Sequence, residues 1–255
     1  MEHEITPDIA YKVIQRLLGE PVELDEGLFL SNDGKRDHVV PYAALNCCVD
    51  PRLPAFPHRY GCGEFSTGQP HIIEVRSPAA NVFFDGVEST NFLEEVKHAV
   101  LGGIEGHTDC GGVTAAYNTV TQRSELPPCI RNQGSRLLPL VERGTDYITN
   151  LGFDPEQDLD RFLAGLAEYV TIEGMHELIR HLYDAPRDLS QTRDRYKDGS
   201  FHVLATMYGL KDINPYSKPG LIIVGANGET EQDAIADVLH LTREQKEHFV
   251  LPLLK

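Results

Sequence analysis

Short apolar blocks, each bounded by polar or turn residues, run along the chain and predict a mixed α/β protein. The first block lies between Thr6-Pro7 and Gly19, and its apolar residues have helical spacing. They are Ile9, Val13, Ile14, Leu17 and Leu18. Proline at the first helical position and glycine just past the last are typical helix boundaries. The block therefore predicts an amphipathic amino-terminal helix that packs or docks through its apolar face.

Apolar runs predict five further elements as strands, over residues 39–48, 71–75, 99–105, 201–207 and 221–224. Helical periodicity predicts helices over 91–98, 113–122, 232–239 and 243–250, and over 158–183 with an interruption near Gly174. Residues 76–81 are expected to form a loop, and 127–143, with its prolines and basic residues, a long surface connection. Strands that alternate with helices favour parallel βαβ units, in which ligands bind beyond the carboxyl ends of the strands.

The composition limits which binding partners and which cellular compartment are expected. The formal net charge of -16 argues against nucleic acid, whose phosphates require a basic face. No apolar run approaches the ~18 residues of a membrane helix, and the polar start lacks the features of a signal peptide, so a cytoplasmic protein is expected. The five cysteines are an odd count and are expected to be reduced. Without a repeat or boundary, residues 1–255 are expected to form one domain with an amino-terminal helical arm.

Two segments at the predicted ends of strands contain the candidate metal ligands. The first is Cys48-Val49-Asp50-Pro51-Arg52, and the second runs from Gly106 through His107 and Cys110 to Gly112. Cys48, His107 and Cys110 supply three ligands suited to zinc, one short of a closed tetrahedron. The open position is where water is activated in catalytic zinc sites. The residues therefore predict a hydrolytic or hydrating zinc enzyme.

Asp50 and Arg52 are the candidate catalytic pair. If the chain stays extended beyond the strand, Cys48, Asp50 and Arg52 face the same side, because side chains alternate along a strand. Arg52 can then hold Asp50 in a bidentate ion pair and keep it ionised. An anchored carboxylate beside a metal-bound water can accept a hydrogen bond from that water and orient it.

Several other polar residues and cysteines are weaker candidates. His176 and His181 are five residues apart on a helix, which is the wrong spacing for a shared metal, so they are expected to be partly exposed helix residues. His58, Tyr60 and His71 lie near the predicted site in the sequence. Either one of them relays protons between the site and buffer, or all three are solvent-facing loop residues. The remaining cysteines are expected to be small buried or incidental residues: Cys47, Cys62 and Cys129.

The order Cys-x-Asp-x-Arg, then His-x-x-Cys-Gly-Gly, resembles the zinc signature of the β-class carbonic anhydrases over residues 39–122. The resemblance implies zinc ligation by Cys48, His107 and Cys110, and a catalytic pair of Asp50 and Arg52. It also implies a parallel, about four-stranded sheet flanked by helices, here with extra carboxyl-terminal helices and strands. The expected assembly is a homodimer or higher oligomer in which the amino-terminal helix embraces the partner.

The activity that the resemblance implies is reversible hydration of carbon dioxide to bicarbonate by zinc-bound hydroxide, a lyase reaction. In the family, the counterpart of Asp50 can itself occupy the fourth zinc position. The chain departs from the family pattern at Pro51 and in the longer loop that follows Arg76, which is either an anion-binding or a structural arginine. Two alternatives therefore stay open: a hydrolase of carbonyl sulfide or carbon disulfide on the same scaffold, and a non-catalytic zinc or redox-responsive protein.

Two thiolates cancel the formal charge of Zn²⁺ and make the centre less electrophilic than a three-histidine site. We therefore expect the bound water to ionise above the pH of about 7 that is typical of the latter. A pH profile of carbon dioxide hydration should have its midpoint on the alkaline side of neutrality. A midpoint well below neutrality would contradict this ligand set.

Overall fold

The computed structural model describes residues 5–25, 30–32, 37–39, 43–53, 72–77, 99–122, 124–128, 130–184, 190–216 and 221–254. Within these ranges the strands are β1 Leu30–Asn32, β2 Asp37–Val39, β3 Ala43–Cys48, β4 Ile72–Ser77, β5 Leu101–His107, β6 His202–Tyr208 and β7 Leu221–Ala226. The α-helices are α1 Pro7–Leu17, α2 Gly111–Gln122, α3 Gly134–Asn150, α4 Leu159–Asp184, α5 Ser190–Asp198, α6 Gln232–Val238 and α7 Arg243–Phe249. A 3-10 turn, Arg131–Gln133, precedes α3.

A five-stranded sheet with the order β4-β3-β5-β6-β7 forms the centre of the fold. The first four strands in this order are parallel to one another, and β7 is antiparallel to β6. Strands β1 and β2 form a separate antiparallel pair. The expected α/β class, with a parallel sheet of about four strands flanked by helices, is confirmed, and the fifth strand adds an antiparallel edge.

The middle strand β5 is buried along its whole length because helices cover both faces of the sheet. On one face, Leu178 and Thr171 of α4 pack against the glycines of β5. On the other face, α1, α6 and α7 share an apolar cluster with Leu101. Burial on both faces explains why the parallel strands are uninterrupted apolar or small-residue runs in the sequence.

Helix α1 begins at Pro7 and ends before Gly19, as the sequence predicts, and Gly19 has a left-handed φ of 85°. Its apolar face packs on the sheet of its own chain. A buried hydrogen bond of 2.6 Å from Gln245 Nε2 to Gln15 Oε1 ties α1 to α7 across 230 residues of sequence. The two ends of the described chain therefore close over the same face of the sheet.

Three local predictions are wrong. The expected surface connection over 127–143 contains most of α3, which buries one apolar face although Pro139 lies inside it. Helix α4 is continuous through Gly174 over 26 residues. Residues 76 and 77 belong to β4 rather than to a loop. The predicted helix over 91–98 lies outside the described residues.

In the part of the chain that the structure describes, no helix combines the length and the apolar character needed to cross a membrane.

At Gly106 the packing of α4 on β5 leaves no room for a side chain. A Cβ atom there would overlap Thr171 Oγ1 and would lie 2.8 Å from Met207 Sδ. Gly106→Ala should therefore lower the free energy of unfolding by about 1–3 kcal/mol, as overpacked cores do. Urea unfolding followed by circular dichroism measures this.

Gly111→Ala is the matched control, because a Cβ at Gly111 would meet no atom within 4 Å. This variant should unfold at nearly the same urea concentration as the original chain. Equal stability of both variants would show that the close approach at Gly106 does not constrain the fold.

Candidate metal centre

The parallel pairing of β3 with β5 brings the two predicted metal segments together. Cys48 is the last residue of β3 and His107 is the last residue of β5, and the strands pair from Ala43↔Leu101 to Cys47↔Glu105. Both carboxyl ends therefore lie at the same edge of the sheet. Cys110 follows His107 by one tight turn and directly precedes α2.

The side chains of Cys48, His107 and Cys110 are buried, and their candidate ligand atoms all lie within 4.8 Å of one another. The two Sγ atoms are 4.0 Å apart, too far for a disulfide. Two sulfurs bound to one zinc ion in a tetrahedron, each at ~2.3 Å, would be separated by about 3.8 Å. The thiol pair is therefore spaced to hold one metal ion between its members.

His107 is oriented with one ring nitrogen free to accept. Its Nδ1 lies 2.9 Å from the carbonyl oxygen of Thr108, so Nδ1 carries the proton and donates it. Its Nε2 is buried, and among the described residues it has no hydrogen-bond partner. An unsatisfied buried acceptor costs about 1–3 kcal/mol. A metal ion bound at Nε2 would remove this cost, so the residues present fit a zinc ion.

The two thiols are not equivalent. The hydrogen bond from Cys110 lowers the pKa of Cys48 well below its usual value, against the effect of burial and with help from His107. The same hydrogen bond, together with complete burial, raises the pKa of Cys110. The backbone N–H groups of Gly112 and Val113, in the first turn of α2, oppose this rise and favour a thiolate at Cys110. The amino-terminal end of α2, which begins at Gly111, therefore lies directly beside the third candidate ligand, Cys110.

Asp50 and Arg52 form the expected bidentate ion pair. Arg52 Nε donates to Asp50 Oδ1 at 3.0 Å and Nη2 donates to Oδ2 at 2.7 Å. The extended backbone expected beyond Cys48 is absent, because the chain turns after Asp50, and the backbone N–H of Arg52 also donates to Asp50 Oδ1. Hydrogen bonds from Arg52 lower the pKa of Asp50 to about 2, with a smaller contribution from His107. Asp50 is therefore ionised at neutral pH beside the three candidate ligands.

Asp109 is a site residue that the sequence did not single out. Its carboxylate accepts from Arg52 Nη1 at 2.5 Å, and its backbone carbonyl accepts from Nη2 at 2.8 Å. Its φ of 56° lies in the left-handed region, which only glycine, asparagine and aspartate adopt readily. An acidic residue between two candidate ligands was the available signal, but its partner depends on how the two loops face each other.

Thr108 joins the turn after β5 to the turn after β6. Its Oγ1 accepts from the backbone N–H groups of Leu210 and Lys211 at 2.9 and 2.8 Å. Its own N–H donates to the carbonyl of Tyr208 at 3.0 Å. Because the Thr108 carbonyl also orients His107, these bonds fix the imidazole relative to the sheet.

The other candidates lie apart from this group. Arg76 pairs with Glu74 on the same strand, with Nη2 and Oε2 2.8 Å apart, so its structural role is the one that the contacts support. His176 lies near Glu173 and the Gly228 carbonyl, and His181 near Glu177, so the two histidines share no site. Cys47 is buried. Five residues considered in the sequence lie outside the described ranges: His58, Tyr60, Cys62, His71 and Cys129.

No protein-family model matches the chain, and no curated protein matches it in sequence. Solved structures similar to it include the β-carbonic anhydrase CafA of Aspergillus fumigatus, with 22% identity over 79% of this chain and 82% of that one, and a TM-score of 0.49. One of two tetrameric β-carbonic anhydrases from Sordaria macrospora has 17% identity, covers 73% of this chain and 81% of that one, and gives a TM-score of 0.48. A carbonic anhydrase from Streptococcus mutans has 18% identity over 75% and 89%, with a TM-score of 0.36. These values describe partial likeness, and we infer function from the geometry of the site.

The Asp50–Arg52 pair should contribute to stability in a pH-dependent way. Because the pKa of Asp50 is lowered to about 2 in the folded chain, its contribution is complete above the ordinary carboxyl pKa of about 4 and is lost as the pH falls towards 2. Asp50→Asn should lower the free energy of unfolding of the metal-free protein by up to about 1 kcal/mol at pH 7. Urea unfolding at several pH values measures the difference between the two chains.

Asp8→Asn serves as a control, because Asp8 pairs with Lys12 on an exposed face of α1. It should change stability less than Asp50→Asn does. A difference between Asp50→Asn and the original chain that grows as the pH falls below 4 would contradict the ion pair.

Proposed function

We propose that the chain is a zinc-dependent carbonic anhydrase, which interconverts carbon dioxide and bicarbonate. The observation that carries this proposal is the convergence of two thiols and an imidazole Nε2, all buried, beside a carboxylate that an arginine holds ionised. Three soft or borderline ligands favour zinc over magnesium or calcium, which prefer oxygen. Three protein ligands are also the number found in catalytic zinc sites.

Cys48, His107 and Cys110 would hold the metal. When bound, zinc supplies a Lewis acid that makes water acidic enough to act as a nucleophile near neutral pH. The chain supplies rigidity: His107 ends a fully buried central strand, and its Nδ1 is fixed by the Thr108 carbonyl. In the neutral ring, a proton fixed at Nδ1 leaves the lone pair on Nε2, which is then the nitrogen available to the metal.

Asp50 would orient the attacking water rather than keep its proton. With a pKa lowered to about 2 by Arg52, the carboxylate is too weak a base to stay protonated near neutral pH. It can still accept a hydrogen bond from the water and direct a lone pair at the carbon of carbon dioxide. Addition of water oxygen to that carbon gives bicarbonate and releases one proton, which passes to buffer. Arg52 acts by keeping Asp50 ionised and in place.

We further propose that residues 1–255 form one zinc domain that acts in the cytoplasm as a homodimer or higher homo-oligomer. The net charge of -16 argues against a nucleic acid as partner. The sulfur analogues carbonyl sulfide and carbon disulfide have the same electrophilic carbon, so the same site could act on them in a differently shaped pocket.

The test is a zinc determination coupled to stopped-flow carbon dioxide hydration, on the original chain and two cysteine variants. Cys48→Ala removes one proposed ligand, and Cys47→Ala removes the neighbouring buried thiol that is not part of the group. We expect about one zinc ion per chain and turnover in the original chain and in Cys47→Ala. Cys48→Ala should lose most of its zinc and its activity, because the remaining two ligands bind too weakly.

Carbonyl sulfide and carbon disulfide are assayed on the same preparation. Turnover of a sulfur substrate without carbon dioxide hydration would assign the site to that hydrolase reaction. Stoichiometric zinc without turnover of any of the three substrates across alkaline pH would favour a non-catalytic zinc or redox-responsive protein. Full activity in a preparation free of transition metal would overturn the zinc proposal itself.

A further inference from the structure

The guanidinium of Arg52 is shared by two aspartates from two different loops. Its Nε and Nη2 donate to Asp50, while Nη1 and Nη2 donate to the carboxylate and the carbonyl of Asp109. Of the five N–H donors that a guanidinium has, four are thus used by these two residues. The side chain of Arg52 is 50% exposed, so packing alone does not fix its rotamer.

Asp109 is held in a backbone conformation that glycine would adopt without strain. Its φ is 56°, in the turn between His107 and Cys110. Aspartate tolerates this conformation better than most L-residues, and unlike glycine it also offers a carboxylate. The contact that it makes is with Nη1 of Arg52.

Asp50 has two competing partners once a metal is bound. A carboxylate is itself a good zinc ligand, and Asp50 lies two residues after the candidate ligand Cys48. If Arg52 could swing with Asp50, the carboxylate could turn towards the metal and occupy the position that water needs. An arginine already fixed by a second carboxylate cannot follow it.

We propose that Asp109 is a positioning residue, which anchors Arg52 between the two metal-bearing loops and so keeps the Asp50 carboxylate on the guanidinium and the fourth metal position open. This inference rests on the proposed function. Asp109 acts only through Arg52. Its side chain is 48% exposed, and its carboxylate accepts a hydrogen bond from Arg52 Nη1.

The test compares Asp109→Gly and Asp109→Asn with the original chain. Asp109→Gly removes the carboxylate and relieves the strained φ, so the fold should be retained. Zinc content should stay at that of the original chain, while kcat for carbon dioxide hydration falls about 10–100-fold and KM changes little, as for other residues that orient a metal site indirectly. Asp109→Asn, which keeps an oxygen acceptor for Arg52, should recover part of the kcat.

Cobalt(II) substituted for zinc reports the coordination directly through its visible absorption. The spectrum of Asp109→Gly should shift towards that of a site with an added carboxylate, and Asp50→Asn in the same background should abolish the shift. Asp233→Asn, at an exposed aspartate that pairs with Lys246, should leave both spectrum and kcat unchanged.

A double-mutant cycle on the metal-free protein tests the anchor independently of catalysis. Asp50→Asn should destabilise the Asp109→Gly chain less than the original chain, because Arg52 is no longer held in place. Additive effects in the cycle, or an unchanged cobalt spectrum and kcat, would overturn the proposal. If the original chain binds no zinc or hydrates no carbon dioxide, the proposed function fails instead, and the cycle alone decides whether Asp109 positions Arg52.

Discussion

The whole site depends on the parallel alignment of β3 and β5. Parallel neighbours end at the same edge of a sheet, so a residue at the end of each strand meets the other whatever their separation in sequence. Here the separation is 62 residues between the two sulfurs, which nevertheless lie 4.0 Å apart. Because β3 and β5 are both buried along their whole length, neither ligand-bearing end can move without disturbing the core. The geometry of the donors is therefore set by the backbone before any ion arrives.

Hydrogen bonds made by residues other than the three candidate ligands also hold the ligand-bearing turns in place. Thr108 ties the turn after β5 to the turn after β6, and Arg52 ties the same turn to the loop after β3. Three consecutive strands of the sheet are thereby joined at one edge by polar contacts. A site with three buried, mutually close donors needs such support, because unsatisfied polar groups and partial charges in a dry environment destabilise the fold around them.

Much of this arrangement follows from the sequence. Apolar runs located the five strands of the central sheet but not the short strands β1 and β2. The spacing of Cys48, His107 and Cys110 indicated which side chains would meet. Helix α3 escaped prediction because Pro139 signals a loop, whereas burial of Leu137, Leu140 and Val141 outweighs one missing backbone hydrogen bond. The antiparallel direction of β7 also escaped, since an apolar run carries no information on direction. The bond between Arg52 and Asp109 depends on how two loops face each other, which no local pattern encodes.

The bond between Gln15 and Gln245 has a consequence for biogenesis. The cluster that covers the apolar face of α1 includes Ile235 and Val250, which are translated more than two hundred residues after that face. The packing of α1 on the sheet is therefore completed only after Val250 has been synthesised.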